Sequence, residues 1–356
     1  MKQLEVTHRI AVGLAAAALV LPSAMTFADT PSFATDRIRE DTVPYGIGAY
    51  SGYVNNIPAP FAKSISNNSM AVSPDQSVAV VTSSEHQVLR VIDLKDGHRI
   101  AEIGGYTSPR NILFEPDGRS ISVSDDTLGV LDQISLQTHK VIQRLPLGVG
   151  VFGTAQSDEG GNLYATNHAA GIVTVIHPST RRPKVVITGF VQPRQGIKIA
   201  PKHNVVYVTD IGAQHIAKVS TKTNERIGQI GRFIEVRGLS VSRDGDRLFA
   251  ADSGDDTVSI IDTDTGVQTK IKVGHRPYGA ALAPNEKVLL SGNLGNDTLT
   301  ALNPDTGAEL GTVTGLRGPR QAIEFSNDSR LAWVLNQDLT IGEVNVQDLA
   351  VKRILG

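Results

Sequence analysis

Cysteine is absent from this 356-residue chain, and with it go disulfide staples, thiolate metal sites, a cysteine nucleophile and a lipid-modified N-terminal cysteine. Aromatic residues make up only 5%, with one tryptophan, Trp333, so no repeat built on a recurring Trp-Asp pair is present. An excess of either charge is also missing. The 34 basic and 36 acidic residues leave −2 with neutral histidines, far from the global basicity of a typical nucleic-acid binder. Apolar runs of membrane-spanning length are lacking too: Ile10 to Leu21 is twelve residues long, where a spanning helix needs ~20.

That short run follows a weakly basic start (Lys2, His8, Arg9) and precedes Thr26-Phe27-Ala28, small residues at the spacing of a cleavage site after Ala28. Residues 1–28 therefore read as a signal peptide, which predicts export, with the periplasm as destination and no integral membrane segment after cleavage. Its removal leaves 32 basic and 35 acidic residues, a net charge of −3. Residues 29–63, with "YGIGAYSGY" and "PAPF", read as an N-terminal arm. Residues 64–356 are a different matter, because they repeat.

Two independent markers keep the same beat. A turn after a short apolar strand recurs at Pro74, Pro116, Asp158, Pro201, Arg243, Pro284 and Asn327, 41 to 43 residues apart. A closing glycine recurs at Gly105, Gly148, Gly189, Gly231, Gly274, Gly315 and Gly356 with the same 41 to 43 spacing. Within the fifth unit, "GLSVS", "RLFAAD", "TVSIID" and "VQTKIKVG" are short apolar or alternating runs separated by "RDGD", "SGDD" and "TDTG". Such runs punctuated by Asp-Gly and Thr-Gly are β-strands and tight turns. One four-stranded sheet cannot bury both of its faces alone and must stack on neighbours, so seven such units predict an all-β fold, a seven-bladed β-propeller of four-stranded antiparallel blades. An open solenoid is the competing architecture, but its coils are generally shorter. Each unit supplies its own fourth strand, so the ring needs no strand from the N-terminus, although an exchange involving residues 61–66 is also compatible with the sequence.

The second strand of each unit ends in a tetrapeptide: "YATN" at 164–167, "YVTD" at 207–210, "FAAD" at 249–252, "LSGN" at 290–293 and "WVLN" at 333–336. Together with "EPDG" and "DTDTG" turns in phase, this pattern resembles the YVTN-type, or YncE-like, family of bacterial secreted seven-bladed propellers. The resemblance implies the fold and an exported protein. It implies no particular activity, since propellers host binding proteins, lyases, lactonases and scaffolds alike.

Blade geometry narrows the search for a site. An antiparallel second strand ends at the face where the first begins, so the residues entering strand one share a rim with the tetrapeptide ends. Six residues before each turn stand Asn68, Arg110, Phe152, Gln195, Arg237, Tyr278 and Gln321, with Arg194 and Arg320 one position earlier. Nine residues after each turn stand Ser83, Asp125, Asn167, Asp210, Asp252, Asn293 and Asn336. A guanidinium fork matches carboxylate or phosphate at two points. Arg110, Arg194, Arg237, Arg276 and Arg320, with Phe152, Tyr278 and His168 beside them, thus form a candidate pocket for an anion, whether small molecule, polymer or protein. Pairing within blades (Arg110 with Asp125, Arg194 with Asp210, Arg237 with Asp252) is the expectation, leaving Arg320 as the uncompensated cation. The function expected is periplasmic ligand binding or protein interaction by a monomer, without catalysis. One alternative is a lyase or lactonase using His168 or His275 with an arginine. Another is single-stranded nucleic-acid binding, with bases stacked on Phe152 and Tyr278, which the net charge disfavours. No cofactor loop and no His-x-x-x-His or calcium-loop spacing is found, so neither cofactor nor metal is expected.

Overall fold

The computed structural model describes residues 68–156 and 161–356. The expected signal peptide and arm, and a strand exchange at 61–66, lie outside those residues. The described chain is a seven-bladed propeller of seven four-stranded antiparallel sheets, each ordered by sequence from first strand to fourth. Among the described residues helix is confined to one short 3₁₀ turn at Pro201–His203. The innermost strands are β1 (Asn68–Val72), β5 (Pro109–Phe114), β9 (Val151–Gln156), β13 (Pro193–Ala200), β17 (Val236–Val241), β21 (Ala281–Leu282) and β25 (Ile323–Phe325).

Sheet faces explain the pattern of residues. In blade 1 the second strand, β2 (Val78–Ser83), sends Val80 into a cluster shared with blade 2, while Ala79 and Val81 enter a cluster shared with blade 7. Both faces are dry, so second strands read as continuous apolar runs instead of alternating ones. Among the described residues seven apolar clusters fill the seven gaps between adjacent blades. Each large apolar side chain buried there contributes roughly 1.5–3 kcal/mol. Fourth strands are mostly exposed but end on one buried apolar residue, as with Ile103, Ile187, Ile230, Val313 and Leu355.

Closure uses whole blades. Blade 1 is complete with β1 to β4 (Arg99–Ile103), and blade 7 with β25 to β28 (Ala350–Leu355). Their seam packs Met70, Ala79, Val81 and Ile92 against Trp333, Leu335, Ile341 and Leu355. It is pinned by Arg353, which donates to the carbonyls of Leu94 and Lys95, and by Gly356 N–H, which donates to Gly97 O.

Candidate functional site

First strands from all seven blades line one central channel of about 450 Å³. The residue that opens each strand sets its mouth. In blades 2, 3, 5 and 6 the opening residues are Arg110, Phe152, Arg237 and Tyr278, and each stands two positions before the residue that enters an inter-blade core (Ile112, Leu239 and Ala280) or faces Ala165 of the second strand (Thr154). Blades 4 and 7 hold one residue more between these points: Arg194 leads to Ile197 and Arg320 to Ile323. In blade 4 the extra residue is absorbed as a bulge between Pro193 and Ile197. The structural equivalents at the mouth are therefore Arg194 and Arg320, and the inserted Gln195 and Gln321 belong to the next level down.

Glycine packs these openings together. A Cβ on Gly153 would meet Arg194 O at 2.7 Å and one on Gly279 would meet Arg320 O at 2.8 Å, while Gly196 and Gly238 lie as tightly against the carbonyls of Arg237 and Tyr278. Hydroxyls of the second strands add fixed bonds: Ser124 donates to Phe152 O at 2.5 Å and Thr166 to Arg194 O at 3.0 Å. Adjacent blades thus hold the backbone under the mouth residues rigidly.

The strand-end acids serve the backbone instead of the arginines. Asp125 accepts from Thr107 and Ser108 N–H, Asp210 from Val191 and Gln192, and Asp252 from Ile234 and Glu235. In blade 3 the loop turns its carbonyls inward, and there the residue is Asn167, whose amide donates to Leu147, Gly148 and Val149. An ionised carboxylate only accepts, whereas an amide can donate, which fits Asn167 to this loop; Asn293 and Asn336 donate instead to the hydroxyls of Thr300 and Thr340 in their own blades. The pairing of arginines with these acids expected from the sequence is not what forms.

Other acids reach the arginines. Arg110, buried, donates through Nε and Nη2 to Asp126 Oδ2 at 3.1 and 2.8 Å, and its guanidinium lies 5.0 Å from the centre of the Phe152 ring. His168 Nε2 stands 3.2 Å from Asp126 Oδ1, with its ring edge-on to Phe152. Burial pushes the Asp126 carboxyl up, but the His168 hydrogen bond and the Arg110 charge outweigh it and hold the carboxyl below its ordinary range. Arg237 pairs with Glu235, donates to Ser253 Oγ at 3.1 Å and covers Tyr278 at 4.6 Å. Arg320 is 5% exposed, and its Nη2 lies 3.8 Å from Glu85 of blade 1. The seventh blade's arginine therefore has a charge partner across the seam, contrary to the expectation that it carries the unpaired charge, although its Nε, like that of Arg194, is buried without a hydrogen bond.

Arg194 carries it instead. Among the described residues its side chain makes no ion pair or hydrogen bond, and its Nε is buried without a partner. Burial first, then the like charges of Arg237 and Arg110, push it down to about 10, with Glu235 offsetting only part. Four guanidiniums, of Arg110, Arg194, Arg237 and Arg320, thus meet three carboxylates, Asp126, Glu235 and Glu85; of the four, Arg194 and Arg237 line the channel itself, and Arg110 and Arg320 stand behind it. Arg276 and His275 stand outside the channel lining, exposed and tied to Asp256 by the Arg276 N–H at 2.8 Å and His275 Nδ1 at 3.1 Å. Nothing in the repeat pattern singled out Asp126, Glu235 or Glu85. Asp126 did offer a signal, since it and its equivalents His168 and Ser253 follow directly on strand-end residues.

One level below the mouth, amides meet across the channel. Gln321 donates to Gln195 Oε1 at 3.2 Å and to Asn68 O at 2.6 Å, and Gln195 donates to Asn111 Oδ1 at 3.3 Å. Asn111 in turn donates to Thr154 Oγ1 at 2.7 Å. This belt ties blades 1, 2, 3, 4 and 7, and it exists because the extra residue of blades 4 and 7 brings a glutamine to the channel. Among the described residues a grouping of potential metal ligands, Asp93, Asp96 and His98, lies in a turn on the outside of blade 1.

The comparisons with known proteins concern the fold. No curated protein matches the chain. Among solved structures, hydrazine synthase of Kuenenia stuttgartiensis is similar with a TM-score of 0.70 and 16% identity, over 78% of this chain and 94% of that one. At that identity the likeness shows the architecture alone. The family described as YNCE-like beta-propeller matches residues 234–354, the stretch holding blades 5 to 7, and with the seven blades described above it bears out the YncE-like resemblance read in the sequence.

Proposed function

We propose that this propeller is a periplasmic binding protein that captures an anionic ligand, a carboxylate or phosphate, at the mouth of its channel. The observation that supports it most is Arg194: a guanidinium at the channel wall, its Nε buried without a partner, between two arginines that are already neutralised. A cation kept in that state costs desolvation that an incoming anion offsets, and a charge-assisted bond there contributes about 1.5–3 kcal/mol. The sequence of residues 1–28 supports the periplasmic part of the reading.

Binding is favoured over catalysis because the histidines are not presented as an acid–base pair. His168 is 4% exposed with Nε2 engaged by Asp126, and His275 lies outside the channel lining. Nucleic-acid stacking is disfavoured by the arginines themselves, which already cover Phe152 and Tyr278. Isothermal titration with succinate and inorganic phosphate tests the reading. Arg194→Ala is expected to weaken binding about 10- to 100-fold, the equivalent of one charge-assisted bond, while Arg317→Ala, exposed at the rim, changes nothing. Equal affinities for wild type and Arg194→Ala would refute the assignment.

A further inference from the structure

Beyond the amide belt the channel changes character. Its far half is walled by Val72, Phe114, Leu282 and Phe325, and two charged side chains stand among them, Lys198 and Glu324. Glu324 is exposed to channel water yet ringed by protein, as a residue on a tunnel wall must be. Lys198 is exposed in the same way. Among the described residues neither side chain makes an ion pair or a hydrogen bond, although they are near enough for the lysine charge to act on the carboxyl.

Opposite charges that share a tunnel without closing on each other leave room for a ligand carrying the complementary pair. We propose that the far half is a second binding site, for a small zwitterion with an apolar body, of the class of hydrophobic and aromatic α-amino acids. Its ammonium pairs with Glu324 and its carboxylate with Lys198. Its side chain packs on Phe114, Leu282 and Phe325. Pockets for small ligands are built this way, apolar walls with a few polar groups that fix orientation. A plain amine would leave Lys198 unmatched and a plain carboxylate would leave Glu324 unmatched. The amides of Gln195, Gln321 and Asn111 lie between this half and the mouth.

Isothermal titration of the full chain with L-phenylalanine, phenethylamine and 3-phenylpropionate tests this. Phenylalanine is expected to bind more tightly than either single-charge analogue, and Glu324→Gln and Lys198→Met are each expected to weaken it at least about tenfold, as loss of a charge-assisted bond does. Arg194→Ala is expected to leave it unchanged, which separates this site from the mouth. No binding of phenylalanine, an analogue that binds as tightly, or loss in Arg194→Ala without loss in the other two would each overturn the proposal. Should a variant fail to unfold cooperatively, the comparison of the three ligands on wild type decides alone.

Discussion

Single side chains in this propeller do one of two jobs, and their surroundings decide which. Asp125, Asp210 and Asp252 are consumed by backbone N–H groups, so their repetition marks architecture. Arg194, without a partner among the described residues, is available to a ligand. Glu324 is the clearest case for pH. Although the side chain is exposed to the channel, the protein packed around it desolvates the carboxyl and pushes it up, and Lys198 pulls it only part of the way back. A carboxyl whose folded pKa is raised gives its full stability below the unfolded value, ~4.3, and loses it as pH rises through the folded value. Glu324→Gln has no such loss. It is therefore expected to melt above wild type at neutral pH and level with it near about pH 3, where the glutamate is protonated in both the folded and unfolded chain; melting curves across that range check this, and a pH-independent difference would place the gain elsewhere.

Strands act on the site through their spacing. The second strands set the rim height, the glycines of the first strands let neighbours close in, and one inserted residue in blades 4 and 7 moves a glutamine to the channel. A methyl group on Gly196 would run into Arg237 O and the Thr209 side chain. Backbone cannot yield as a flexible side chain can, so Gly196→Ala is expected to destabilise the protein by about 1–3 kcal/mol, as overpacking does. Gly104→Ala is the control: a Cβ there meets nothing within 4 Å, and its change should stay within about ±0.5 kcal/mol in urea unfolding. The four strands of each blade were legible in the sequence because turn chemistry and apolar runs are local. The first strand of blade 6 was less so, since only Ala281–Leu282 form regular pairing and Pro277 adds an isolated bridge to Asn293. The glutamine belt was not legible. The marker-based alignment put Gln195 and Gln321 at the level of Arg110, and only the register of pairing moved them down.

For the whole molecule, the question is how a ring closes when every blade is complete. A shared strand is not used among the described residues, so blades 1 and 7 hold by packing and by the bonds of Arg353 and Gly356. Trp333 is 4% exposed at that seam. Trp333→Ala is expected to cost about 3–5 kcal/mol, the usual loss for a large aromatic in a core, and chemical denaturation measures it. A loss below 1 kcal/mol would mean that the seam does not govern stability. The sequence by itself determined the number of blades and the four strands of each, because periodicity and turn chemistry act over a few residues and repeat. Which arginine keeps its charge unmatched was decided only by the tertiary structure. Charge compensation depends on side chains from different blades, as Glu85 reaching Arg320 across the seam and His168 reaching Asp126 from the next blade show, and distances between blades leave no mark on the spacing within one.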